Sequence, residues 1–363
     1  MGADAALEKL DASGDDAAAR QRHLDFYSQF VEQLRPRMLG PEQGACMTML
    51  DDERQNVLAA HAWCDRSESG ADTDLRMVFA LKFYWLNRGL LGLGHRVTSE
   101  ALARPDARGR TLSRCRGLAD AGQICYFMGR YAEAHELLQQ SLSIARELNE
   151  GSRVVVVLQL LGMVELALGK PEAALARSEE AVALARIASN KRSLAGTMNT
   201  QAQVLRAQGA FDRAYPLYTE CLSLMRELGD DESVAAGLLN LAMVAVLRDQ
   251  PSEARQLLDE VLTIVDRIES KAMGQSLLEI CAGLAIAESD FRLGAEFFGA
   301  AEAQADRSDL RRDPADQAFL SAAISRAQNV LGPSAIECES IGRSLGYHEA
   351  TERARRWLVA TRA

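Results

Sequence analysis

The sequence predicts an all-α fold, a solenoid of antiparallel helical hairpins, on three observations. Ala, Leu, Glu and Arg dominate the composition, all good helix formers, and proline is limited to 8 of 363 residues. Runs of Val, Ile and Thr alternating with polar residues, which would mark strands, are missing. Above all, the chain resembles itself every forty residues, which is how an array of stacked supersecondary units reads in sequence.

The register is clearest from the segment GRYAEAHELLQQSLSIA at residues 129–145. Gly129 is followed forty residues on by Gly169 and then Gly209, and the same column holds Gly89, Asp249 and Ser289. Five residues further lie Gly94, Ala134, Ala174, Ala214, Ala254 and Gly294. Twelve further lie Ala101, Ser141, Ala181, Cys221, Val261 and Ala301, and seven before lie Lys82, Gly122, Gly162, Ala202, Ala242 and Ala282. The stretch before each turn has helical spacing, as Leu158, Leu161 and Leu168 illustrate. A glycine then ends that helix, because it tolerates the left-handed C-terminal conformation. Pro171 and Pro251 sit near the start of the second helix, where the missing N–H costs nothing. Each unit is thus a hairpin with small-residue seams, and since a lone hairpin cannot bury its apolar face, neighbours must stack.

The pattern LG-x(6)-G-x-[YF]-x-x-A-x(6)-[SA]-L resembles the tetratricopeptide repeat. Gly129, Tyr131, Ala134, Ser141 and Leu142 carry it in one copy. Leu161-Gly162, Gly169 and Ala174 carry it in the next, and Gly209, Phe211, Ala214, Cys221 and Leu222 in a third. The usual repeat has 34 residues, so forty here lengthens both helices by about a turn; ARELNE, MRELGDDES and VDRIES fit the turns between units. The proline conventional near the end of such a unit is absent. The resemblance implies a right-handed superhelix whose concave wall is lined by the first helix of each unit. Carried over by register, the wall residues are Arg116, Gln123, Tyr126, Gln159, Met163, Asn199, Gln203, Arg206, Asn240 and Met243, with Phe79 and Phe83 upstream.

The flanks read as worn copies. Residues 1–19 are small and acidic and predict a disordered tail, 20–70 a degenerate helical pair, and 71–308 six tandem repeats. Residues 309–363 predict a last degenerate pair, 314–331 with 333–345, and a capping helix over 349–361. The run from Arg22 to Cys64, followed by FYWLNRGLLGLG and the repeats, resembles the C-terminal repeat region of LuxR-type and other STAND-class ATPase regulators and of some signalling kinases. In that family the region follows an ATPase or kinase module and senses an inducer or binds a partner. No G-x-x-x-x-G-K-[ST], kinase H-R-D or D-F-G, or helix-turn-helix occurs, so the chain reads as a fragment of such a regulator or as a stand-alone repeat protein.

The formal charge of −10 argues against nucleic acid as a partner. Basic residues are almost all Arg, as in a GC-rich bacterium. The seven cysteines are scattered without a C-x-x-C, as buried thiols of a reducing cytoplasm would be. Neither a secretory signal nor an apolar run long enough to span a membrane is present.

Local chemistry is sparse. His135-Glu136 suggests a zinc-protease helix, but Gln139 stands where the second His is required. No two of the five histidines are spaced i, i+4, so a metal site would need assembly in space and none is expected. GLLGLGHR follows a helix rather than a strand, and Asp51-Asp52-Glu53, Glu179-Glu180 and Asp230-Asp231 suit turns and helix N-termini. The expectation is therefore a non-enzymatic scaffold without cofactor, binding a protein or peptide on the concave wall. The alternative is a sensor that takes a small-molecule inducer inside the superhelix. Gln and Asn along consecutive helices can bond an extended backbone without fixing its sequence, and Met adds an adaptable apolar surface. The wall shows no dense Lys/Arg cluster, so capture of an acidic tail is not expected.

Overall fold

The computed structural model describes residues 16–38, 40, 42–268, 270–306, 312 and 314–360. Among them the regular structure is wholly helical: seventeen α-helices and one 3-10 turn, with no strand. The chain divides into two compact units, one ending at Arg153 and the other beginning at Val154.

The first unit holds α1 (Asp16–Arg37), α2 (Gln43–Trp63), α3 (Gly70–Asn87), α4 (Leu91–Ala103), the 3-10 turn Pro105–Arg108, α5 (Leu112–Phe127) and α6 (Tyr131–Glu147). Its core gathers Leu24, Val31 and Leu34 of α1, Met47 and Leu50 of α2, and Tyr84 and Trp85 of α3. Helix α1 begins at Asp16, so the expected tail is corrected at its inner end; residues 1–15 lie outside the described residues. Helix α2 begins at Gln43, so most of the segment GPEQGAC at residues 40–46 is itself helical.

Helix α7 (Gly151–Ala167) crosses from one unit to the other. The second unit continues with α8 (Pro171–Ile187), α9 (Lys191–Ala207), α10 (Phe211–Glu227), α11 (Asp231–Leu247), α12 (Pro251–Ile268), α13 (Lys271–Ala287) and α14 (Phe291–Ala305). Helices α15 (Pro314–Leu331), α16 (Ser334–Ser344) and α17 (Tyr347–Ala360) complete it.

The forty-residue columns have a physical cause at each turn. Gly89, Gly129, Gly169 and Gly209 all have φ between 67° and 75°, and Asp249 and Ser289 adopt the same left-handed conformation at 57° and 71°. The amide after each turn residue closes the preceding helix on a carbonyl five residues back, as Arg130 N–H on Cys125 O (2.8 Å), Lys170 on Glu165 (2.9 Å) and Asp290 on Ala285 (2.8 Å). A second left-handed column lies between units at Asn149, Ser189 and Gly229. Ala134, Ala174, Ala214 and Ala254 are fully buried, as are Ser141, Ala181, Cys221 and Val261 one column on. Two seam positions have no room for more: a Cβ on Gly122 would lie 2.7 Å from Leu138 Cγ, and one on Gly94 the same distance from Trp85.

The C-terminal end departs from the hairpin rule. Helix α15 does stand as the next first helix, against α13, but α16 lies chiefly on α14 rather than on α15. Gly299 of α14 and Gly342 of α16 make this possible, since a Cβ on either would sit about 2 Å from a carbonyl of the other helix (Glu339 O at 2.1 Å, Glu296 O at 1.9 Å). Helix α17 folds over α12, α13 and α14 and buries Ala350, Ala354 and Leu358. Arg255 of α12, 5% exposed, pairs with Glu288, lies 4.2 Å from the Trp357 ring centroid and donates to the Trp357 carbonyl (3.1 Å).

Candidate functional site

In the second unit, the first helices of successive hairpins, α9, α11, α13 and α15, converge on a cavity of about 190 Å³. Four of the residues expected from the register line it: Asn199, Gln203, Asn240 and Met243. Asn240 Nδ2 donates to Asn199 Oδ1 at 3.0 Å, joining two successive first helices by their side-chain amides. Ala236, Ser276 and Asp316 also line it, together with Leu239, Glu279 and Phe319. Both sets follow the period: 236, 276 and 316 fall on the forty-residue column of Arg116, and 239, 279 and 319 on that of Asn199.

The charged groups at this cavity are neutralised from within. Arg206, 4% exposed, pairs with Asp316 and lies against Met243 Sδ. Burial opposes its charge, but Tyr218 and Asp316 outweigh burial and raise its pKa. Glu279 accepts from Arg312 at 2.6 Å, and Arg312 also reaches Glu302 at 2.8 Å. What remains open to a ligand is mainly amide, hydroxyl and apolar surface.

Of the residues the register placed on the wall, Tyr126 and Arg206 are buried at 6% and 4% exposure, and Asn240 and Met243, though they border the cavity, are buried at 9% and 4%. Repeats stacked this closely use part of each first helix to pack on its neighbours. The Tyr126 ring sits 5.4 Å from Phe127 and 5.7 Å from Tyr131 by centroid. Gln159 and Met163 are half-buried on α7, with the Gln159 amide 3.2 Å from where a Cβ on Gly196 would lie.

In the first unit, Arg116 and Gln123 of α5 belong to a different kind of surface. Gln123 Oε1 accepts from Lys82 Nζ at 3.1 Å, and Lys82 pairs with Asp120 at 3.2 Å. Arg116 lies 4.8 Å from the Phe79 ring centroid, with Arg35 at 3.5 Å and Arg153 at 5.9 Å from the same ring. The expectation that no dense basic cluster occurs is thereby corrected. The four cations are 35, 82, 116 and 153 in sequence, and no local pattern links positions so far apart.

Two further clusters lie in the first unit. His61 is held between Asp74 (Nδ1, 2.7 Å) and Glu100 (Nε2, 2.9 Å), and Arg104 pairs with Asp74 at 2.6 Å, beside a cavity of about 470 Å³ lined by Leu58, His61, Asp65, Arg96, Glu100 and Arg104. Burial disfavours the imidazolium, but the Asp74 and Glu100 hydrogen bonds prevail and raise its pKa. The neighbouring Cys64 thiol is pushed up to about 12, chiefly by burial, so it is protonated at neutral pH and is no nucleophile. His95, Cys125 and Glu133 bring one potential metal-ligating atom each within 4.8 Å of one another. The Arg130 guanidinium occupies that corner, paired with Glu133 and 3.3 Å from His95 Nε2, and burial raises the Cys125 thiol to about 12. A positive charge and a protonated thiol oppose a cation there.

No described helix is long and apolar enough to cross a membrane. Residues 114–187 and 193–267 match the family model of the tetratricopeptide repeat, so these segments, α5 to α8 and α9 to α12, are such repeats. No curated protein matches the sequence. Several solved structures share the fold at low identity. A Rap protein complexed with competence and sporulation factor is 11% identical, with TM-score 0.61 over 95% of this chain and 99% of that one. Aspartyl phosphate phosphatase F from Bacillus subtilis is 12% identical, with TM-score 0.57 over 91% and 79% of the two chains. The Rap conjugation gene regulator of plasmid pLS20, in complex with the Phr* peptide, is 11% identical, with TM-score 0.52 over 86% and 97%.

Proposed function

We propose that this chain is a non-catalytic scaffold that takes a peptide segment of a partner on the first helices of its second unit, within a bacterial signalling or transcriptional regulator. The observation that carries the reading is the Asn199–Asn240 amide pair facing the cavity beside Gln203. Side-chain amides on successive helices offer both donors and acceptors, which suits an extended backbone of unspecified sequence. The charges around them are already paired, so the ligand need not bring a countercharge. The cavity volume of about 190 Å³ favours a backbone or a single inserted side chain over an enclosed metabolite, because small-molecule pockets usually run to roughly 300–1,000 Å³. The regulatory setting draws support from the two Rap structures of this fold, one complexed with a sporulation factor and the other with a peptide.

The test is selection of peptides from a random library against the full chain, followed by titration of the selected peptides. Asn199→Ala with Asn240→Ala removes both partners of one hydrogen bond and leaves no orphaned group, so folding should be preserved. Adding Gln203→Ala should then weaken binding by roughly tenfold to a hundredfold. Peptides that bind the triple variant as tightly as the original chain would sink the proposal.

A further inference from the structure

The basic cluster of the first unit is short of negative charge. Arg35 lies near the end of α1, Lys82 on α3, Arg116 on α5 and Arg153 in the first turn of α7, and all surround Phe79 and Phe83 of α3. The single buried carboxylate among them in the described residues is Asp120, 4% exposed. Its Oδ1 is taken by Lys82, whose ammonium also bonds Gln123, while its Oδ2 has no hydrogen-bond partner among the described residues. Glu150, in the turn before Arg153, is another carboxylate whose field reaches Arg153.

The three guanidiniums remain without a carboxylate at ion-pair distance among the described residues. Arg35 donates to the Phe79 carbonyl, and Arg116 Nε is buried with no partner among the described residues. Three half-buried like charges around one ring repel one another. Burial pushes the Arg35 guanidinium down to about 10, with the fields of Arg153 and Arg116 adding to the effect against that of Asp120. Arg153 is lowered by burial and then by Arg116. Guanidiniums can lie on an aromatic ring by one surface and still bond an oxyanion with their N–H edge, so Phe79 orders them without using up their donors.

We propose that Arg35, Arg116 and Arg153 form a binding site for a doubly charged oxyanion, a phosphoryl group or a pair of carboxylates, with Phe79 as the platform that holds the guanidiniums together. A dianion brings the excess charge of the cluster close to zero and supplies acceptors for the guanidinium N–H groups, the orphaned Arg116 Nε among them. Bidentate guanidinium contacts suit phosphate and carboxylate oxygens alike. The site is independent of the peptide surface on the second unit, and either can fail without the other.

The experiment is thermal unfolding and calorimetric titration of the full chain with sodium phosphate and, separately, sodium succinate, against sodium chloride at equal ionic strength. We expect saturable stabilisation by at least one dianion, and the two arms distinguish a phosphoryl from a dicarboxylate ligand. The double variant Arg116→Gln with Arg153→Gln should lose roughly a hundredfold in affinity, about tenfold for each guanidinium. Without anion it should melt no lower than the original chain, because removing like charges relieves repulsion. Arg110→Gln, on an exposed arginine paired with Glu147, should leave the response intact. If the double variant folds poorly, Arg116→Lys keeps the charge but loses the fork and must still weaken binding. The proposal is overturned if neither dianion acts beyond chloride, or if the arginine variants respond as the original chain does.

Discussion

Two glycines in the second unit should respond to the same substitution with opposite signs. Gly162 lies within α7, where an alanine methyl would meet Thr200 Cγ2 at 3.4 Å, Ala174 O at 3.5 Å and Ser178 Cβ at 3.9 Å. These are ordinary contacts, so Gly162→Ala should realise the intrinsic helical advantage of alanine, roughly 0.5–1 kcal/mol. Gly299 of α14 offers alanine the same advantage, but its methyl would sit 2.1 Å from Glu339 O on α16. That obstacle is backbone, which has no rotamer to escape into, so α14 and α16 must separate. Overpacking of this kind costs roughly 1–3 kcal/mol, enough to exceed the propensity gain. Gly342→Ala, facing Glu296 O at 1.9 Å, should behave like Gly299→Ala. Urea denaturation followed by circular dichroism gives the sign for each variant. Because stacked repeats can unfold piecemeal, hydrogen exchange should also show protection lost first in α16 of the Gly299 variant. The close-crossing argument is refuted if Gly299→Ala is neutral or stabilising, or if both variants shift the midpoint the same way.

Two further outcomes follow from backbone conformation and from titration. Ser289 occupies the left-handed turn column at φ 71°, where four of its counterparts are glycine, so Ser289→Gly should raise stability by about 0.5–1 kcal/mol in urea melts; a lower midpoint would show that the serine side chain stabilises the turn. The His61 pKa is raised in the folded chain, so its contribution is complete below the ordinary histidine value near pH 6.5 and is lost as pH rises through the folded value. Burial also raises the Asp74 pKa, which works in the same direction, since its charged form becomes the costly one with rising pH. Unfolding of the first unit, followed by fluorescence of its Trp63 and Trp85, should therefore show a midpoint that falls from pH 6 to the alkaline side, and His61→Gln should flatten that fall. An equal slope in both proteins would remove His61 as its source.

Much of the architecture was written into the chain. The Gly89-to-Gly209 column, the buried alanines at 134, 174, 214 and 254, and the helical pairs between them are local or strictly periodic, and a repeated unit announces itself in one dimension. Part of the candidate surface is legible in the same way. Asn199, Gln203, Asn240 and Met243 border the cavity, and Ser276, Glu279, Asp316 and Phe319 stand on the forty-residue columns of Arg116 and Asn199. Periodicity did not reveal how deep each position lies. Met243 stands on the column of the half-buried Gln123, Met163 and Gln203 yet is 4% exposed, and Tyr126 and Arg206 are covered as well, because burial depends on the size of whatever packs opposite.

The sequence by itself determined the hairpin, its forty-residue step and the turn chemistry, since each rests on residues close together along the chain. Only the tertiary structure decided what happens where the period breaks. Gly299 and Gly342 are ordinary helical glycines until α16 crosses α14, and Arg255 is one arginine among many until α17 brings Trp357 against it. The same holds for Arg35, Arg116 and Arg153, which are drawn from three separate helices to a single ring. Contacts of this kind join residues with no fixed spacing, so their energy depends on distance in space and leaves no period to read.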